Sequence, residues 1–316
     1  MQSFLLNLGR FFLFSLTIVF FVICLPATPK SSNSLLFSSK KKEVLLRKID
    51  SPRIVFIGGS NLSFGIASKL FKDSLRLNPI NLGIHASLGL KFMMSQYLNY
   101  AKKGDIVILV PEYQQYLGDF SDGTDGEELA RMVFDVDFCN FFILNTNQRI
   151  NIFTKLPIIL KSRFSLNEYL GYEFDFIYSK YVFNEFGDID TKYLTHKKHF
   201  NPDESFNNSY INHNLIDGIT YFNNFLKKQG IHFFISFPGY QEVSFNRSQK
   251  KIVQIHSILK KNKLDIVGTP EMFRMQDTFM LNSPYHLNKH GVERRTNLLI
   301  NALKQHLKNK YVNFVF

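Results

Sequence analysis

A chain of 316 residues, 45% hydrophobic, with 34 Phe and 14 Tyr but no Trp, carries enough apolar surface for one large domain or two small ones, which excludes a disordered chain. Its formal charge of +12 comes from scattered basic pairs such as Lys102–Lys103, Lys227–Lys228 and Lys260–Lys261, several at expected helix ends where a cation offsets the helix dipole. With no nucleic-acid motif beside them these pairs read as a solvated face, so nucleic acid is not an expected partner, while attraction to anionic lipid or an acidic polysaccharide stays open.

The first element is "FFLFSLTIVFFVICL", Phe11 to Leu25, uncharged and continuously apolar, with Arg10 before it. Residues 1–30 are expected to be an N-terminal membrane anchor or a cleaved signal peptide, with the uncleaved anchor preferred; either exports the rest of the chain. Residues 31–52 read as a polar linker with a short helical piece. Beyond the leader only Cys139 remains, which excludes an intramolecular disulfide and a Cys-rich metal site.

From Arg53 the pattern alternates. "RIVFI" is a short buried strand, and "LSFGIASKLFKDSL" has helical spacing. "PINLGIHAS" is a second strand, and "LGLKFMMSQYLNYAKKG" a helix closed by Gly104. "DIVILVPEY" is a third strand, too apolar on both faces to be an edge. Late in the chain "NLIDGITYFNNFLKKQG", "IHFFISFPG", "SQKKIVQIHSILKKNK" and "LDIVGTP" continue the alternation, and "GVERRTNLLINALKQHLKNK" closes it. This predicts one α/β domain over residues 53–316, with a parallel sheet covered on both faces. Residues 117–213 break the rhythm and read as an inserted cap or binding loop. Most of its aromatic side chains are expected to form a small core of their own. In "FNEFGD", Asp188 is expected on an exposed turn.

Ligands of open α/β sheets bind beyond the carboxyl ends of the strands. There the chain places Gly58, Gly59, Ser60 and Asn61, then Gly83, His85 and Ser87, then Glu112 and Tyr113, and finally "NSPYHLNKHG" with His286. Spacing rejects a P-loop, because no Gly stands five residues after Gly58 or Gly59, and a dinucleotide fingerprint, which needs G-x-G. It also rejects the G-x-S-x-G elbow, because Leu62 stands where the second Gly belongs. A generic anion site, or Ser60 as a simple helix cap, stays open. His196, His199 and His213 lack ligand spacing to carboxylates, so neither a metal nor another cofactor is expected, and no carboxylate pair suggests a glycosidase.

A Gly-x-Ser turn after the first strand and a late His resemble the SGNH/GDSL hydrolase superfamily. "GGSN" looks like its first block, "NLGIHAS" its second with Gly83, and "SPYHLNKHG" its fifth with His286. "GGSNLSFGI", "PEY", "FNEFGD" and "YHLNKHGVERRT" together are similar to membrane-anchored members, in order from Arg53 to about Asn301. The resemblance implies a three-layer, flavodoxin-like fold. It also implies Ser60 as nucleophile, His286 as its base, and the backbone amides of Ser60 and Gly83 as oxyanion hole, with Asn61, Glu112 and Tyr113 against the substrate. A serine hydroxyl is a weak nucleophile until a base takes its proton, so the pair must meet. Two positions depart from the pattern. "VPEYQQY" has Glu112 where an oxyanion Asn is usual, leaving Gln114 or Tyr113 as other donors. Ser283 stands where the usual Asp would be, three residues before the His, with Asn282 four before; Asn282, Asp277 or a backbone carbonyl is left to orient the imidazole.

The implied function is an extracytoplasmic serine esterase or O-acyltransferase acting through acyl-Ser60 on ester groups of a surface saccharide or lipid-like substrate, with envelope biosynthesis proteins as partners. The alternative is a catalytically degenerate binding or assembly protein on the same fold, which the missing acid and missing Asn favour.

Overall fold

The computed structural model describes residues 1–173, 175–195 and 197–310. Its first helix, α1 (Gln2–Ile23), has no buried residue. At about 1.5 Å per residue it is long and apolar enough to cross a bilayer core of ~30 Å, a property it shares with signal sequences.

The segment expected as a linker is built into the domain. A short helix, Pro29–Asn33, is capped by Thr28, and a turn over Leu35–Phe37 leads into α2 (Ser38–Lys48). Leu35, Leu36, Lys42 and Leu46 are buried. Lys42 Nζ donates to the carbonyls of Asn81 (3.0 Å), Gly83 (2.5 Å) and Gly187 (2.6 Å). Composition hid this, because a lysine reads as solvent-facing unless distant carbonyls receive its ammonium. Burial pulls that ammonium down to about 7.

Strand β1 (Arg53–Gly58) ends in a one-turn helix, Ser60–Ser63. The helix expected over residues 62–75 is broken there and resumes as α3 (Ser68–Leu75). Gly65 sits in the break, where a Cβ would lie 2.1 Å from the Asn61 carbonyl oxygen. Asp188 holds the start of α3, accepting from Ser68 N and Oγ, both at 2.7 Å, and from Asn81 Nδ2 at 2.8 Å. It is a buried clamp and not the exposed turn that its sequence suggests.

Strand β2 (Asn78–Asn81), helix α4 (Leu90–Leu98) and strand β3 (Ile106–Val110) follow. Helix α4 stops short of Gly104, which instead supplies a positive φ of 86° in the turn before β3. Inside the insertion lie α5 (Thr146–Thr154) and α6 (Leu156–Arg163). Then come α7 (His213–Lys228), β4 (His232–Ile235), α8 (Gln249–Lys261), the short hairpin β5 (Met280–Ser283) and β6 (His286–Leu287), and α9 (Lys289–Lys310).

The main sheet has four parallel strands in the order β2-β1-β3-β4, with Val55 opposite Ile80 and Val107, and Ile108 opposite Phe234. The run expected as a fifth strand is reduced to one parallel bridge, Ile266 to Ile235. Strands β1 and β3 are buried at every position, which is why they read as unbroken apolar runs. Helix α4 packs on β1 and α7 on β4, and these two helices touch, while α3 packs against β2 and α9.

At the foot of β1 a charged pair is sealed in the core. Arg53 Nε and Nη2 meet the two Asp105 carboxylate oxygens at 2.8 and 2.5 Å, and Tyr97 OH donates to Asp105 at 2.7 Å. Arg53 also donates to the Leu46 and Tyr100 carbonyls, so the guanidinium ties α2 to the sheet. Removing one partner strands a buried charge. Asp105→Asn is therefore expected to lower the unfolding free energy by about 3–5 kcal/mol, read by urea denaturation of the detergent-solubilised chain. A loss below about 1 kcal/mol, the value of an exposed pair, would contradict this.

The neck of the insertion is closed by an antiparallel bridge between Leu117 and Ile211. Leu129, Met132, Val133, Leu144, Ile152 and Ile159 join the main core. The aromatic side chains meet the expectation only in part: Phe134, Phe138, Phe141, Phe142 and Phe153 pack on one another, but mostly at the surface. Among the described aromatic residues between 117 and 213, only Phe134, Phe183 and Phe206 are buried. Phe138 and Phe141 stack on each other instead (centroids 5.6 Å apart, planes 6° apart), because a 3₁₀ turn eclipses residues three apart.

Candidate active site

Strand β1 delivers Gly58, Gly59 and Ser60 to the carboxyl end of the sheet, beside the end of β3 and Glu112. Glycine is required at 59, where a Cβ would lie 2.8 Å from Glu112 Oε1 and 2.9 Å from Ala86 Cα. Glu112 therefore approaches the serine closely. Ser60 Oγ lies 3.1 Å from Glu112 Oε1, and Asn61 N donates to the same oxygen at 3.1 Å.

His286 arrives from the β5–β6 hairpin, 226 residues away in sequence, with Nε2 3.0 Å from Ser60 Oγ. Its Nδ1 lies 2.9 Å from Asn282 Oδ1. Ser283 does not reach the imidazole; its Oγ accepts from the Tyr285 and His286 amides and so holds the turn. Asp277 Oδ1 accepts from Gln241 Nε2. Phe64 stacks on the imidazole (4.0 Å, 11°). Tyr178, 108 residues from the histidine, was not anticipated. Its hydroxyl accepts from Asn282 Nδ2 at 2.7 Å and lies 3.5 Å from His286 Nδ1.

These contacts decide where the protons sit. Asn282 Nδ2 is committed to Tyr178, so Oδ1 faces the ring and requires a hydrogen on Nδ1. Nε2 is then bare and accepts the Ser60 hydroxyl hydrogen. Ser60 has only that one hydrogen, which can go to an ionised Glu112 Oε1 instead; both contacts are hydrogen bonds at once when Glu112 carries a proton and donates to Oγ. Electrostatics agree: burial pushes the Glu112 carboxyl up to about 7. Burial, with His85 nearby, pulls the imidazole down to about 3 and keeps it neutral.

The remaining expected residues divide. The Gly83 amide donates to Asn81 Oδ1 at 2.9 Å, so in this structure its hydrogen is engaged there and is not free for an oxyanion. Gly83 instead lets the turn pack, since a Cβ would fall 2.6 Å from Leu62 Cβ and 2.7 Å from the Gly59 carbonyl oxygen. Tyr113 is fully buried against Phe237 and Tyr240 and faces the core rather than a ligand. Asn61 donates Nδ2 to the Val110 carbonyl, and its Oδ1 is buried without a partner among the described residues. His196 lies outside the described residues, and among those described no cluster of three His, Cys, Asp or Glu is placed to hold a metal.

A cavity of about 320 Å³ adjoins the pair through His85 and Tyr178, with Leu35, Leu36, Glu127 and Arg131 among its walls. Ser60, Glu112 and His286 do not line it, yet they keep 9%, 7% and 7% of their surface exposed. A serine held against a neutral imidazole, which is in turn fixed by an amide oxygen, can lose its proton to that imidazole as it attacks an electrophilic carbon. No protein-family model matches this chain, and no curated protein matches it significantly in sequence.

Proposed function

We propose that this chain is a serine-dependent, ester-processing enzyme of the SGNH/GDSL type, an esterase or O-acyltransferase working through acyl-Ser60. The observation that carries the reading is the relay from Ser60 Oγ to His286 Nε2 (3.0 Å) and from Nδ1 to Asn282 Oδ1 (2.9 Å). The strand order, β2-β1-β3-β4 with a bridge to a fifth segment, supports a doubly wound, flavodoxin-like arrangement with its site at the carboxyl strand ends.

In this reading Ser60 Oγ attacks the ester carbonyl while His286 Nε2 takes its proton. The oxyanion is met by the Ser60 amide and by the O–H of neutral Glu112, which occupies the place of the usual Asn. Collapse expels the alcohol, protonated by His286, and leaves acyl-Ser60. A second hydroxyl, from an acceptor or from water, then enters by the reverse path. The small residual exposure of Ser60 limits water and favours transfer. A cavity walled by both Glu127 and Arg131 suits the hydroxyls of a saccharide or a polar lipid headgroup. Helix α1 supports tethering; in this reading the domain stands on the extracytoplasmic side of the membrane and the chemistry uses no cofactor.

A non-catalytic binding protein is favoured by one observation, an amide at Asn282 where a carboxylate would better stabilise imidazolium. A fluorophosphonate probe separates the two. The enzyme is expected to become labelled on the peptide carrying Ser60, and the absence of label on folded protein would leave only the binding role.

A further inference from the structure

The insertion carries an apolar face that neither the ester chemistry nor the core uses. Phe142 (69%), Ile150 (60%), Phe153 (53%), Phe164 (75%) and Leu166 (69%) are exposed. They fall on or beside α5 and α6, and α6 touches α1. A groove of about 560 Å³ is lined jointly by Phe20 and Ile23 from the end of α1, with Leu25 just beyond it, and by Phe138, Phe141 and Phe153 from the insertion, with Asp135, which Arg163 pairs, and Asp137 at its edge. Side chains that share a groove with the last turn of a spanning helix lie at the depth where that helix leaves the hydrocarbon. The same stretch, residues 138–166, contains Arg149, Lys155, Lys161 and Arg163 and no Asp or Glu. Arg163 is spent on buried Asp135, which leaves the other three cations beside the apolar face. Apolar side chains bordered by cations and continuous with a membrane helix are the pattern of an interfacial element on anionic lipid.

We infer that the α5–α6 segment of the insertion seats in the headgroup layer of the bilayer that holds α1, making a second membrane contact that fixes the orientation of the domain. The inference rests on α1 lying in a membrane. Its consequence for the site is one of placement. Lys30, Leu35 and Leu36 lie in the two short turns that come next after α1 and wall the 320 Å³ cavity, so that cavity opens close to the lipid surface. A substrate carried on a lipid would then meet it without leaving the membrane plane.

The test uses the full chain with Cys24→Ser and Cys139→Ser, reconstituted in vesicles of mixed phosphatidylcholine and phosphatidylglycerol. A single environment-sensitive fluorophore is placed by Phe142→Cys, Phe164→Cys, Phe14→Cys on α1, or Tyr221→Cys, exposed on α7. Retention of the parent unfolding midpoint checks that each labelled chain is folded. With brominated lipids, labels at 142 and 164 are expected to be quenched several-fold more than the label at 221, and the label at 14 to be quenched as well. Quenching at 14 with none above the 221 level at 142 and 164 overturns the inference while leaving α1 in the membrane. No quenching at 14 removes its premise and overturns it too. Shielding at 142 that is indifferent to brominated lipid, with coupling between labels on separate chains, would assign the face to a second copy and likewise overturn it.

Discussion

His286→Ala is expected to lower ester turnover by about 10⁴-fold or more, with Ser60→Ala equally severe and the double variant no worse than either single. The two groups act as a unit. Without the imidazole, 3.0 Å from Oγ, the Ser60 proton has no acceptor except Glu112, which below about pH 7 already carries its own proton and cannot take a second. Without Oγ, the imidazole has nothing to activate. Two unfavourable changes to one proton path therefore do not multiply. A chromogenic acetate ester and the rate of fluorophosphonate labelling both read this loss. Because His286 stacks on Phe64 and fills a buried site, His286→Gln is the companion variant that preserves most of the shape. If either histidine variant keeps more than about a tenth of the parent rate, His286 is not the base. Ser60→Ala removes only side-chain hydrogen bonds, so a stability change of about 1 kcal/mol is expected beside its large kinetic effect.

The second large effect is on pH dependence. Glu112 is held neutral by burial, with its folded value raised from 4.5 to about 7. If the neutral acid donates to Ser60 Oγ and then to the oxyanion, activity falls as pH rises through about 7 and the carboxyl ionises. The imidazole, pulled down to about 3, stays neutral over that whole range and places its own limb far on the acid side. Glu112→Gln keeps an N–H donor that cannot ionise. It is expected to abolish the alkaline limb while leaving the acid-side rate within about tenfold of the parent, whereas Glu112→Ala loses the donor and costs about 10²–10³-fold. An unchanged alkaline limb in Glu112→Gln would remove Glu112 from the mechanism. Stability moves with the same proton. Between pH 4.5 and about 7 the folded chain keeps a proton that the unfolded chain releases, so the contribution of Glu112 is complete below 4.5 and is lost as pH rises through about 7.

Much of the framework was legible because it rests on local patterns. Fully buried strands must be short, apolar and punctuated, and β1 and β3 read that way and lie inside a parallel sheet. Helix α1 is apolar on all sides and was visible for the same reason. Ser60 and His286 stood at strand-end turns, and the fold brings them to hydrogen-bond distance. The signal for Glu112 was its place after β3, although its raised affinity for a proton had none. Tyr178 had no signal at all, since it sits in an aromatic stretch where any of several rings reads alike.

The amino-acid sequence by itself determined the alternation of strand and helix, the apolar α1 and the small-residue turn that presents Ser60, because periodicity and glycine sterics act over a few residues. Tertiary structure alone decided that the Gly83 amide turns to Asn81, that Asn282 and not Ser283 meets the imidazole, that Lys42 is sealed among three carbonyls, and that Phe138, Phe142, Phe153 and Phe164 of the insertion face outward. Those outcomes depend on which distant groups supply hydrogen bonds and exclude water. Desolvation and hydrogen-bond geometry belong to the assembled neighbourhood, not to any stretch of the chain.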